Sequence, residues 1–106
     1  MKMSEKICGI YKITNLVNGK VYIGQSVDIY RRWAQHKKIG RNLSEDKYSR
    51  DYDKVLYRAM RKYGVDSFEF SIVEKCEESV LYEREQYWIK FYNSTTVEDK
   101  GYNLND

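Results

Sequence analysis

Proline is missing from this chain, histidine occurs once and cysteine twice. Each scarcity removes a class of protein. Cys8, Cys76 and His36 together cannot complete a structural zinc site, which usually takes four Cys or His ligands from one chain, so zinc fingers and zinc deaminases are excluded. The opening residues MKMSEK are charged and lack the apolar stretch of a secretory signal, so two reduced thiols are expected rather than a Cys8 to Cys76 disulfide. No apolar run approaches the ~18 residues that a membrane span needs. No Gly/Ser-rich stretch and no repeat divides the 106 residues, which reads as one domain over 1–106 in a cytoplasmic protein. Aromatics and aliphatics, by contrast, are plentiful at 42% hydrophobic and 15% aromatic, enough for a small core. The net charge of +3 conceals a split. Residues 1–64 carry 15 basic and 6 acidic side chains, net +9, whereas residues 65–106 carry 4 and 10, net −6. A first part so basic points toward a polyanion.

Periodicity divides the chain into six elements. Over Ile7 to Thr14, Ile7, Gly9, Tyr11 and Ile13 alternate with Cys8, Ile10, Lys12 and Thr14, which predicts a strand. Asn18 and Gly19 suit the two positive-φ positions of a hairpin turn, and Val21 to Ser26 returns as a second strand. Ser26 or Asp28 can cap a helix to about Lys38, with Ile29, Arg32, Trp33 and His36 on one face. Residues 39–51 show no period and read as a loop. Tyr52 to Tyr63 then carries a helical stripe of Val55, Leu56, Ala59, Met60 and Tyr63, ended by Gly64. Phe68 to Lys75 predicts a third strand and Ser79 to Tyr92 a third helix. The expected fold is α+β: a three-stranded antiparallel sheet flanked by three helices in the order ββααβα.

Two faces hold residues that do not suit a core. Glu85 sits within the stripe Leu81, Trp88, Ile89 and Tyr92, and a buried carboxylate is costly unless it is paired or binds a metal. A salt bridge to Arg32 or another cation and a metal site both meet that need. On the first helix Arg32 and His36 stand one turn apart, a fork for phosphate beside a group that trades protons near neutral pH. A solvated helix edge would look the same. Arg31, Lys37, Lys38 and Arg41 surround them with positive charge of the kind that meets a phosphate backbone.

The strands turn these fragments into a pattern. Gly9-Ile10-Tyr11, ten residues, then Tyr22-Ile23-Gly24 resembles the two naming motifs of the GIY-YIG nuclease family. Further blocks match the family: RRWAQH with Arg32 and His36, YEREQYWI with Glu85, and GYNL with Asn103. Through KITN, KVYIG, RRW, KYG, EREQYWIK and GYN, the chain is most similar to the catalytic domains of phage intron-encoded homing endonucleases. It departs from some relatives in having no histidine between Lys37 and Arg58.

The resemblance implies metal-dependent hydrolysis of DNA phosphodiester bonds. Tyr11 would serve as general base or orient the water, and Tyr22 would bond a phosphate oxygen. A phenol with a pKa near 10 is a poor base at neutral pH, so Lys20, Arg32, a metal or His36 would have to stabilise its anion. Arg32 would hold the scissile phosphate, and Glu85 would supply one oxygen to a single Mg2+ or Mn2+ ion. Lys12, Arg31, Lys37, Lys38, Arg41 and Arg58 are the expected DNA contacts. Gly9 and Gly24 would permit close packing, and Asn103 would tie the tail to the wall of the site. A DNA-targeting domain or partner outside this chain would supply sequence recognition. The rival reading is a nucleic-acid-binding module of the same fold that cleaves nothing.

Overall fold

The alternation around Tyr11 becomes strand β1, Gly9–Asn15, in the computed structural model, which describes residues 6–41, 55–95 and 101–103. Strand β2, Val21–Ser26, pairs with β1 antiparallel. The turn between them is wider than a two-residue hairpin. Asn15 N–H donates to the Lys20 carbonyl at 2.9 Å, and Gly19 N–H donates to the Asn15 carbonyl at 2.7 Å. Gly19 alone of the expected pair has positive φ, at 80°. The side-chain oxygens of Asn15 and Asn18 accept from Val17 N–H and Lys20 N–H, both at 2.9 Å. These local bonds shape a larger loop, and Asn18 is used for its side chain rather than for left-handed backbone.

Helix α1, Ile29–Arg41, starts after Asp28 and runs three residues past the expected end at Lys38. Packing accounts for the extension. Gly40 is buried so tightly that a Cβ there would meet the Met60 sulfur at 2.6 Å, and Ile39 packs against the main core. The rest of the predicted loop, residues 42–51, and the predicted start of the second helix, residues 52–54, lie outside the described residues. Helix α2, Val55–Tyr63, ends at Gly64 with φ 88°, as its left-handed stop signal predicts. Strand β3, Phe68–Lys75, has the predicted bounds, and helix α3, Leu81–Tyr92, follows a 3-10 turn at Glu78–Val80. The sheet order is β2-β1-β3, antiparallel throughout, and the element order is ββααβα.

Because strand residues alternate between faces, the sheet carries two cores. Tyr11 and Ile13 face α1 and α2 and pack with Ile29, Leu56, Tyr57, Met60 and Phe68. Ile10 and Ile23 face α3 and pack with Leu81, Trp88 and Ile89. Between Ile10 and Tyr11 the β1–β3 register shifts, since Ile10 faces Glu74 while Tyr11 faces Ile72. Val73 is the extra residue, so the bulge lies in β3, opposite the first motif tyrosine. Near the chain's end, Tyr102 N–H donates to the Val21 carbonyl at 2.9 Å, so this segment lines the edge of β2. Among the described residues no helix is long and apolar enough to cross a membrane.

Candidate active site

Tyr11 and Tyr22 project from the same face of adjacent strands, diagonal in the register, with ring centroids 6.5 Å apart. Gly24 lies directly opposite Tyr11. A Cβ at Gly24 would collide with the Tyr11 hydroxyl and the ring carbon that bears it, so this glycine makes the space in which the phenol lies. Gly9 has the same role toward backbone: a Cβ there would strike the Glu74 carbonyl. Both glycines thus permit close approach, one for a side chain and one for the neighbouring strand.

Helix α1 brings His36 over the two tyrosines. The hydroxyl of Tyr11 lies 2.7 Å from His36 Nε2, and the hydroxyl of Tyr57, on α2, lies 2.6 Å from His36 Nδ1. His36 is 1% exposed and Tyr11 likewise 1%, so this is a buried polar row and not a solvated helix edge. Burial pushes the Tyr11 phenol well above its ordinary value. A neighbouring Tyr22 adds to the rise, and the Arg32 guanidinium against the Tyr11 oxygen opposes it. Burial alone would lower Arg32, but Tyr11, Tyr57 and Tyr22 outweigh it and hold the guanidinium above its usual value. Nη1 of Arg32 also donates to Gln35 Oε1 at 2.9 Å. Tyr11, Tyr22, Arg32 and His36 therefore form one cluster.

Glu85 stands on the opposite face of the sheet. Its Oε1 accepts from Gln25 Nε2 at 3.0 Å, and Gln25 alternates with Gly24 on β2. The two consecutive residues thus serve the two halves of the site: Gly24 accommodates Tyr11 on one face, and Gln25 reaches Glu85 on the other. Sequence reasoning offered a salt bridge to Arg32 as one partner for Glu85. Arg32 instead meets Tyr11, and the hydrogen-bond partner of Glu85 among the described residues is a neutral amide. Burial raises its carboxyl above the ordinary value, partly offset by the Gln25 bond. A half-buried carboxylate balanced by an amide suits a cation that is hydrated on its other sides. Among the described residues no three His, Cys, Asp or Glu side chains stand together as a cage for an ion.

The basic residues spread around this centre. Arg31, Lys38 and Arg41 are exposed on α1, Arg41 within 3.3 Å of Asp66, and the Lys37 ammonium lies 4.9 Å from the centre of the Phe70 ring. Lys20 and Arg58 line one groove of about 240 Å3 together with Lys62, Tyr63 and Tyr102. The cation beside Tyr11 is Arg32. Lys12 belongs to the α3 face, its ammonium 4.6 Å from the centre of the Tyr92 ring. Asn103 binds the edge of β2 through its side chain: its Oδ1 accepts from Ile23 N–H and its Nδ2 donates to the Ile23 carbonyl, both at 2.8 Å. It also accepts from Ser94 Oγ at 2.6 Å. Its amide stands in for a neighbouring strand beside Tyr22 and Gly24.

Tyr57 and Gln25 escaped the sequence reading. Tyr57 falls off the apolar stripe of its helix and is one of 11 tyrosines, so no pattern singles it out. Gln25 follows the second motif as an ordinary strand residue, and its partner is 60 positions away.

Comparison with known proteins agrees with this geometry. The GIY-YIG catalytic domain family matches residues 7–103, and the chain belongs to that family. It is 39% identical over 100 residues to the intron-associated endonuclease 1 of Enterobacteria phage T4, an alignment spanning 92% of this chain and 37% of that protein. It is also 39% identical over 66 residues to the probable intron-encoded endonuclease 1 of Neurospora crassa, covering 62% of this chain and 18% of that protein. The chain thus spans well under half the length of either relative. The solved catalytic domain of the homing endonuclease I-TevI superposes with a TM-score of 0.74 at 36% identity, covering 93% of this chain and 99% of the other.

Proposed function

We propose that this chain is an endonuclease that hydrolyses phosphodiester bonds of DNA with one divalent ion, Mg2+ or Mn2+. The observation that carries this reading is the buried contact of Tyr11 with His36, 2.7 Å apart, beside Arg32. Burial makes a standing phenolate at Tyr11 still less available than in water, so the tyrosine works best if it never carries the charge. Tyr11 accepts a proton from the attacking water while passing its own to His36 Nε2. The hydroxide oxygen bonds to phosphorus, one P–O ester bond breaks on the far side, and the departing oxygen takes a proton from solvent. Arg32 meets the phosphoryl oxygens with charge-assisted hydrogen bonds, and Tyr22 adds a neutral donor. Glu85 is the residue that would hold the ion. When bound, such an ion supplies positive charge for the phosphate and the departing oxygen. Gln25 keeps the carboxylate of Glu85 oriented toward that role.

Arg31, Lys37, Lys38 and Arg41 on α1, with Lys20 and Arg58 in the groove beside α2, are assigned to backbone phosphates. Lys12, on the α3 face, would meet DNA that passes around the edge of β2 toward Glu85. Target recognition is assigned to a domain or partner outside these residues. Incubating supercoiled plasmid with the protein tests the proposal. Nicking is expected with Mg2+ and none with a chelator. Binding without nicking under both conditions would favour the rival reading, a DNA-binding module that cleaves nothing.

A further inference from the structure

Tyr57 has no part in the chemistry above, yet its hydroxyl is buried and lies 2.6 Å from His36 Nδ1. A neutral imidazole has one N–H and one lone pair, and which nitrogen holds the proton decides what the other can do. Were Nε2 the protonated nitrogen, it would donate to the Tyr11 oxygen. Nε2 would then hold no lone pair for the Tyr11 proton, and the transfer would stop at the phenol. With the proton on Nδ1, Nε2 accepts from the Tyr11 hydroxyl and can take its proton.

We propose that Tyr57 is a positioning residue: its oxygen accepts the Nδ1 proton of His36 and so fixes the tautomer whose Nε2 can take the proton of Tyr11. The proposal rests on the Tyr11–His36 transfer proposed above and adds the group that sets its direction. Protons balance along the row. One moves from water to the Tyr11 oxygen and one from Tyr11 to Nε2. The imidazolium keeps its Nδ1–H on Tyr57, and after cleavage Nε2 returns the extra proton through Tyr11 to solvent. Because His36 belongs to α1 and Tyr57 to α2, the packing of these two helices sets the protonation of the site.

His36 is the one histidine in the chain, so nitrogen–proton NMR of the side-chain-labelled protein at alkaline pH reads this ring alone. The wild type is expected to show the Nδ1–H tautomer. Tyr57→Phe keeps the ring that fills the core and removes only the hydroxyl, so the other tautomer should gain a clear share. Single-turnover nicking should fall about 10- to 100-fold, the usual cost of removing a partner that orients a functional histidine, with DNA affinity unchanged. In a His36→Phe background, adding Tyr57→Phe should cost nothing further, because the two act as one unit. An Nε2–H tautomer in the wild type overturns the proposal without any variant. Wild-type nicking by Tyr57→Phe, with His36→Phe impaired, overturns it and leaves the Tyr11–His36 transfer intact. Wild-type nicking by His36→Phe removes that transfer and this proposal with it.

Discussion

At the scale of single residues, Glu85 is a liability for folding at the very position proposed to hold the ion. Burial raises its carboxyl above the ordinary value of 4.5, so the folded protein disfavours the ionised form. That cost is absent below the unfolded pKa and grows as pH rises through the folded one. Glu85→Gln should therefore melt a few degrees higher than the wild type at pH 7, with the gain vanishing below about pH 4. The same variant should lose Mg2+-dependent nicking while it still binds DNA. An equal melting gain at acid and neutral pH would show that desolvation of the carboxylate is not the cause. Arg32 and His36 make the complementary case. Arg32→Ala removes charge from both Tyr11 and the proposed phosphate contact and should reduce nicking about 10³-fold. His36→Phe removes only the proton acceptor and should reduce it about 10²-fold. Single-turnover rates at saturating Mg2+ rank the two, and the reverse order would make His36 the principal group.

At the scale of elements, the site depends on β2 being held in place from both sides. Gly24→Ala would push the Tyr11 hydroxyl off His36 Nε2, and nicking should drop to the level of Tyr11→Phe while DNA affinity holds. Asn103 supports the same strand from its free edge. Asn103→Ala strips partners from the Ile23 N–H, the Ile23 carbonyl and the Ser94 hydroxyl, each within the fold. An unpaired buried polar group costs about 1–3 kcal/mol, so urea denaturation should record a loss of about 3 kcal/mol or more. A loss under about 0.5 kcal/mol would mean that water replaces the amide and that Asn103 is not what holds β2. The bulge at Val73 belongs to this scale too, since the extra residue lies in β3 directly opposite the step from Ile10 to Tyr11.

For the whole molecule, the division of charge between net +9 and net −6 is the feature that DNA would meet first. The positive residues assigned to DNA lie mostly on α1 and along the groove beside α2, where they can meet backbone phosphates, and contacts of that kind position DNA without reading base edges. Affinity for a random 30-mer duplex should then be governed by counterion release. With about 4 to 6 phosphate contacts, log K should fall against log[salt] with a slope of roughly −4 to −5. A flat response, or one competitor sequence winning a hundredfold, would mean that this chain reads bases itself.

Local rules determined much of the architecture. The bounds of β2 and β3, the stop at Gly64 and the order ββααβα follow from alternation, helical spacing and the left-handed freedom of glycine, which act over a few neighbouring residues. Arg32, His36 and Glu85 were also legible, because each stands in a face where an ordinary core residue would serve better, whereas Tyr11 and Tyr22 stood out only through the resemblance of their motifs. Tertiary structure decided the rest. It extended α1 to Arg41 through the contact of Gly40 with Met60. It gave Glu85 an amide in place of a cation and gave His36 a second tyrosine. Those outcomes depend on side chains 21 to 60 positions apart meeting across packed elements. No local pattern encodes such a meeting, because the hydrogen bond is chosen only after the helices have settled on the sheet.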